Sequence, residues 1–106
     1  MKTLHRKTLN LSLYVLPFNV MKTGEKLHEF RRPSKWILSR LLNKSYDEVK
    51  FVNGFGAKRP TFTREYLGYT VLARKEVHSY SNGLTVIAEK GDIKISLGEI
   101  IPNSPS

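Results

Sequence analysis

Four side chains within one short stretch carry the groups an acid-base or anion site needs. They are Lys26, Glu29, Arg31 and Arg32, set in and directly after Thr23-Gly24-Glu25-Lys26-Leu27-His28-Glu29-Phe30-Arg31. Arginine offers a flat fork of donors that matches phosphate, and a glutamate beside it stays ionised and steadies the guanidinium or accepts from a base's exocyclic amine. Paired with lysine, the same glutamate could instead be half of an acid-base couple, with Lys26 and Glu29 as the catalytic residues of a hydrolase. A plainer alternative is a Glu29–Arg31 ion pair of structural value alone. Strand alternation puts Glu29 and Arg31 on one face with Leu27, and Lys26 on the opposite face unless a bulge or twist intervenes. His28 reads as a packing or surface histidine. His5, His28 and His78 lack metal-ligand spacing, so neither a metal nor any other cofactor is expected.

The elements that must position these residues follow from periodicity and punctuation. Leu9, Leu11, Leu13 and Val15 alternate as a half-buried strand over 9–15. Pro17 suits the first turn of a short helix over 17–23 that ends at Gly24. The charged stretch 26–31 lacks strict apolar alternation and reads as a solvated edge strand or the wall of a polar site. A second helix is expected over 34–43, with Ser34 as N-cap and Trp36, Ile37, Leu38, Leu41 and Leu42 as its apolar stripe. From Ser45 onward the pattern is β, with Val49, Phe51 and Phe55 in one run and Phe62, Tyr66, Tyr69 and Val71 in the next. Runs over 84–88 and 93–97 follow, and turn signals stand at Asn53-Gly54, Asn82-Gly83 and Gly91-Asp92. Short strands at this spacing predict a barrel or strongly curled sheet. Asn53-Gly54-Phe55-Gly56 reads equally as a plain turn or as a ligand loop, with Phe55 able to stack and Lys58 and Arg59 nearby.

With 106 residues the chain is one domain's worth, expected over 1–101 with a frayed tail at 102–106. The absence of cysteine excludes disulfides, thiolate metal sites and cysteine nucleophiles, and fits a reducing compartment. Met1 to Lys7 is basic and a moderately apolar run follows, but Asn10, Ser12, Pro17 and Asn19 interrupt it and no small-x-small site succeeds it. No run approaches a membrane span either, so a cytoplasmic protein without a membrane partner is expected. Charge is the strongest global signal. The formal net charge is +9, and residues 1–44 hold ten basic side chains against two acidic ones, whereas 45–106 holds eight against seven. Such a field attracts polyanions, nucleic acid first among them.

The segment around Lys26 resembles the ASCH domains, small relatives of the PUA fold. Their signature is Gly-x-Lys-x-x-(acidic or hydroxyl)-x-Arg on a strand after a helix, and Gly24, Lys26, Glu29 and Arg31 occupy its four positions. Residues 49–56 resemble the strand and glycine turn in the middle of that domain, and 95–101 resemble its closing strand. The resemblance implies an α+β fold, a small PUA-like β-barrel of ASCH type with two short peripheral helices. It also implies a cleft between helix and barrel lined by the motif, and a role in RNA or nucleoside-linked chemistry. One bacterial branch removes the acyl group of an acetylated cytidine with a lysine, a threonine and a downstream glutamate. Here the lysine position is Lys26, but Glu29 stands where the threonine would be, and no equivalent of the downstream glutamate is evident. The leading expectation is a nucleic-acid-binding module, RNA ahead of DNA, using Lys22, Lys26, Glu29, Arg31, Arg32, Lys35, Phe55, Lys58 and Arg59. Phe55, Trp36 or Tyr69 would supply a stacking face. A nucleoside-like small molecule is the other expected ligand. The alternatives are a small hydrolase or ribonuclease acting on RNA or an acylated nucleoside, and a regulator whose basic face grips an acidic protein.

Overall fold

The computed structural model describes residues 7–13, 19, 20, 22–53 and 61–101. In chain order the elements are β1 (Thr8–Leu13), β2 (His28–Arg31), α1 (Lys35–Leu41), β3 (Glu48–Asn53), β4 (Thr61–Val71), β5 (Glu76–Ser79), β6 (Thr85–Ala88) and β7 (Ile93–Ile101). Five strands form one sheet in the order β1-β3-β4-β7-β2, and β5 and β6 form a separate two-stranded sheet. All pairings are antiparallel except β1 with β3. The large sheet curls into a half-barrel, as the spacing of the short runs predicts, and the described residues are mostly β, with α1 packed on the sheet.

Alternation explains which face of β1 turns inward: Leu9, Leu11 and Leu13 are buried while Thr8, Asn10 and Ser12 are not. They join Val49 and Phe51 of β3, Phe62 of β4, Ile93, Ile95 and Leu97 of β7, and Ile37 and Leu41 of α1 in one core. Phe51 and Phe62 sit opposite each other across β3 and β4 and stack with ring centroids 5.2 Å apart.

Two register shifts bend β4 against β7, one between Arg64 and Tyr66 and one between Tyr66 and Tyr69. Pairing of Arg64 with Ile100 and Tyr66 with Leu97 leaves the extra residue on β7, beside Gly98. The second shift leaves it on β4, where Gly68 adopts φ +99°, a conformation that side-chain-bearing residues resist. Bulges of this kind increase local twist and curl a sheet.

The helix over 34–43 is shorter than expected and its stripe is narrower. Ser34 does cap it, its Oγ accepting from Ile37 N at 3.2 Å, and Asn43 follows its end at φ +57°. Only Ile37 and Leu41 are buried, one turn apart. Trp36 and Leu42 are 49% and 50% exposed, because a helix of seven residues laid on one side of the core turns only one narrow face inward. Of the helix expected over 17–23, Asn19, Val20 and Lys22 are helical; Pro17, Phe18 and Met21 lie outside the described residues. The first strand ends at Leu13 among the described residues. The turn at Asn53-Gly54, the loop bearing Phe55, Lys58 and Arg59, and the tail 102–106 also lie outside them. Strand β5 was not legible in the sequence, whereas Gly83 and Gly91, at φ +88° and +91°, stand where the turn signals put them.

Candidate functional site

The two edge strands of the half-barrel, β1 and β2, lie far apart in sheet order, and a side chain joins them. Arg31 on β2 donates from Nη2 to the carbonyl of Ser12 on β1 at 2.8 Å and from Nε to Glu29 Oε2 at 2.7 Å. The other carboxylate oxygen, Oε1, accepts from Lys26 Nζ at 3.2 Å, and the same ammonium donates to the carbonyl of His28. Lys26, Glu29 and Arg31 therefore form one linear network, cation–carboxylate–cation, in the seam between the sheet edges. The expectation that Lys26 faces away from Glu29 and Arg31 is overturned. Strand β2 begins only at His28, so alternation does not govern Lys26, whose long stem turns back to the carboxylate.

This network is deeply placed. Lys26 is 1% exposed and Glu29 5%, whereas the Arg31 side chain keeps 27% of its surface. Burial lowers the Lys26 pKa from its ordinary value; the Glu29 charge opposes that shift, and the Arg31 and Arg64 charges reinforce it. Among the described residues nothing bonds to Nη1 of Arg31, which leaves its two hydrogens available on a side chain that lines a cavity of about 260 Å³. The walls are Ser12 and Leu13 of β1, Lys26, the Glu29 to Arg31 stretch of β2, and Val86 of β6. No residue of α1 contributes. Among the described residues the cleft lies between the sheet edges and the β5–β6 hairpin; the helix expected over 17–23, which the resemblance sets beside it, lies largely outside the described residues.

The hairpin stands over this cavity as a separate sheet, and two isolated strands are marginal on their own. Its attachments are specific. His78 stacks on Phe30 at 5.1 Å, Glu76 pairs with Lys94 Nζ at 3.1 Å and with His78 Nε2 at 2.9 Å, and Tyr80 lies 6.0 Å from the Lys26 ammonium. Glu25 accepts from Ser81 N at 2.7 Å and from its hydroxyl at 2.5 Å. Those Ser81 bonds lower the Glu25 pKa, and the His78 and Lys94 bonds lower that of Glu76. His28 is lowered by burial, then by Lys94 and His78.

Arg64 is the residue that sequence reasoning missed. It is 2% exposed and donates from Nε and Nη2 to the Gly98 carbonyl at 3.1 and 2.9 Å, and from Nη1 to the Lys26 carbonyl. The β7 bulge beside Gly98 thus supplies an acceptor, and Arg64 ties it to the backbone that carries Lys26. From the other side Lys26 N donates to Val20 O at 3.1 Å, and Leu97 N donates to Leu27 O at 3.0 Å. Burial lowers the Arg64 pKa and the Glu99 charge opposes that shift. A signal existed: Arg64 shares the strand face of Phe62 and Tyr66, two positions to either side.

No family model, curated protein or solved structure matches the chain. Of the remaining expected site residues, Lys22, Arg32 and Lys35 are exposed and line no part of the seam cavity, while Phe55, Lys58 and Arg59 lie outside the described residues. Among the described residues no group of three or more His, Asp or Glu side chains gathers to hold a metal ion, and no helix is long and apolar enough to cross a membrane.

Proposed function

We propose that the chain is an RNA-binding module, PUA-like and of the ASCH type, that receives a single nucleotide unit in the seam cavity. The observation that carries this reading is the charge of the cavity wall: two cations share one carboxylate, leaving a net positive site in which, among the described residues, Arg31 Nη1 meets no acceptor. At about 260 Å³ the cavity falls just below the roughly 300–1,000 Å³ usual for small-molecule sites, which suits one base or phosphorylated sugar better than a folded partner. Lys22, Arg32 and Lys35, exposed around the same third of the chain, supply the outer field that draws in a polyanion. The test is a titration with uridine and cytidine monophosphates, monitored by amide chemical shifts. Perturbations should centre on β2 and Ser12 and disappear in Arg31→Ala. Shifts absent throughout, or unaffected by that substitution, would refute the reading.

A second reading rests on one observation. Burial lowers the Lys26 pKa, the direction that lets a lysine exchange a proton nearer neutrality, and Glu29 lies within 3.2 Å as its partner. On that reading the chain hydrolyses RNA or an acylated nucleoside. Incubation with either substrate should then give products that Lys26→Met, the milder substitution for the fold, abolishes while affinity is kept. A pure binding site loses affinity in that variant and yields no product at all.

A further inference from the structure

Away from the seam, α1 and the outer edge of β1 enclose a second hollow of about 270 Å³, lined by Thr8, Leu9, Asn10, Trp36, Arg40 and Tyr46. It shares Thr8 and Tyr46 with a hollow of about 440 Å³ that adds Lys7 and Lys44, so the two form one groove. Arg40 lies over the Trp36 ring at 5.2 Å and Trp36 remains 49% exposed, a large aromatic surface that the core does not use. Tyr46 donates to the Arg40 carbonyl and packs edge-on to Tyr66 at 5.4 Å, which holds that end of the groove in place. Lys7, Arg40 and Lys44 line it and are all exposed. The acidic side chains beside it are Asp47, whose Oδ2 accepts from Lys7 N at 2.8 Å, and Glu48 at the start of β3.

We propose that this groove binds single-stranded nucleic acid, with a base stacked on Trp36 and Arg40 and backbone phosphates on Lys7, Arg40 and Lys44. A basic track interleaved with an exposed aromatic ring is the arrangement that takes single strands without reading sequence, because every base has a face to stack and every nucleotide a phosphate. Outward-facing residues of β1 connect the groove to the seam: Asn10 lines the groove and Ser12 lines the seam cavity, two positions apart and so about 7 Å along the strand. A strand lying on β1 would therefore present successive units to the two hollows. The inference depends on the RNA-binding reading for its ligand class, yet it assigns the stacking surface to a different place and to residues outside the seam.

Trp36 is the only tryptophan in the chain, so its emission reports the groove directly. The experiment adds oligo(U) of eight nucleotides, oligo(dT) of the same length and uridine monophosphate to separate samples at 50 mM salt. Oligo(U) should quench Trp36 emission. By anisotropy of the labelled oligonucleotide, Trp36→Ala should weaken binding by about tenfold or more. Trp36→Phe should retain most of the affinity, and Lys7→Ala with Lys44→Ala should weaken it further. Quenching by oligo(dT) as well supports a single-strand groove indifferent to the 2′-hydroxyl. Binding without quenching, unchanged affinity in a folded Trp36→Ala, or no oligonucleotide binding at 50 mM salt would each overturn the proposal. The seam reading stands or falls separately, on whether uridine monophosphate binds and depends on Arg31.

Discussion

Substituting Glu29 with glutamine keeps the shape of the side chain and removes the charge that two cations share. Its carboxylate is 7% exposed and accepts at both oxygens, from Lys26 at 3.2 Å and from Arg31 at 2.7 Å. A glutamine amide can accept at one end only, so its NH₂ must face one of those donors. If that donor is Lys26, an ammonium 1% exposed is left with the His28 carbonyl and no counter-charge. Removing one partner of a buried pair costs about 3–5 kcal/mol. Domains of this size have total stabilities of about 5–15 kcal/mol, so Glu29→Gln should fold poorly or melt far earlier than the parent. Lys26→Met alone should cost less, because Arg31 still neutralises Glu29 and methionine fills a similar unbranched path. The double variant Lys26→Met/Glu29→Gln should recover at least half of the loss, since the uncompensated charge is gone and the amide oxygen can turn to Arg31. Urea unfolding followed by circular dichroism measures all three. A Glu29→Gln variant within 1 kcal/mol of the parent, or a double variant no better than the single, would refute the view that the seam is held by charge compensation.

Four further outcomes are expected. Arg64→Leu leaves the carbonyls of Lys26 and Gly98 without their buried donor, at about 1–3 kcal/mol each, and should also shift the amide signals of Lys26 and Leu27. Gly98→Ala would set a Cβ 2.7 Å from Glu65 Oε1 and 2.9 Å from its Cβ, so a loss of about 1–3 kcal/mol is expected in thermal melts. Glu25 and Glu76 have folded pKa values below 4.5. The hairpin contacts they provide are therefore fully present above pH 4.5 and lost as pH falls through the lowered values, and His28, lowered from 6.5, acts in the same direction below pH 6.5. Amide exchange in β5 and β6, corrected for intrinsic rates, should accelerate over that acid range before the β3–β4 amides do. Oligo(U) affinity should fall with salt at a log-log slope of about −0.7 per phosphate engaged, and a flat response would remove the electrostatic argument.

How much of this could be read in advance differed by residue and for physical reasons. Glu29 and Arg31 were legible as a same-face pair, because two positions on one strand always share a face. Lys26 was not, since its position relative to that face depends on where the strand begins, and boundaries are the least determined part of any sequence pattern. Trp36 reads in the sequence both as part of the apolar stripe of its helix and as a stacking face; the helix is too short to bury it, and only Ile37 and Leu41 are buried. Arg64 does not announce its burial, because a charged side chain inside a strand ordinarily means a solvated face. Burying it depends on a carbonyl freed by a bulge on another strand, which no local pattern displays. Strand β5 was hidden for a related reason: its Glu76 and His78 are contacts for Lys94 and Phe30, so its sequence lacks the apolar alternation of a core strand.

The Arg31 bridge has a meaning for neighbouring molecules as well as for the seam. An edge strand such as β1, with three leucines on one face and a row of backbone groups along its side, is a template on which another chain can add a strand. Arg31 occupies the Ser12 acceptor on that side and places a cation against it. The guanidinium therefore works as a guard against strand addition, so that Arg31→Ala should leave a stickier protein, with concentration-dependent self-association nucleated at β1.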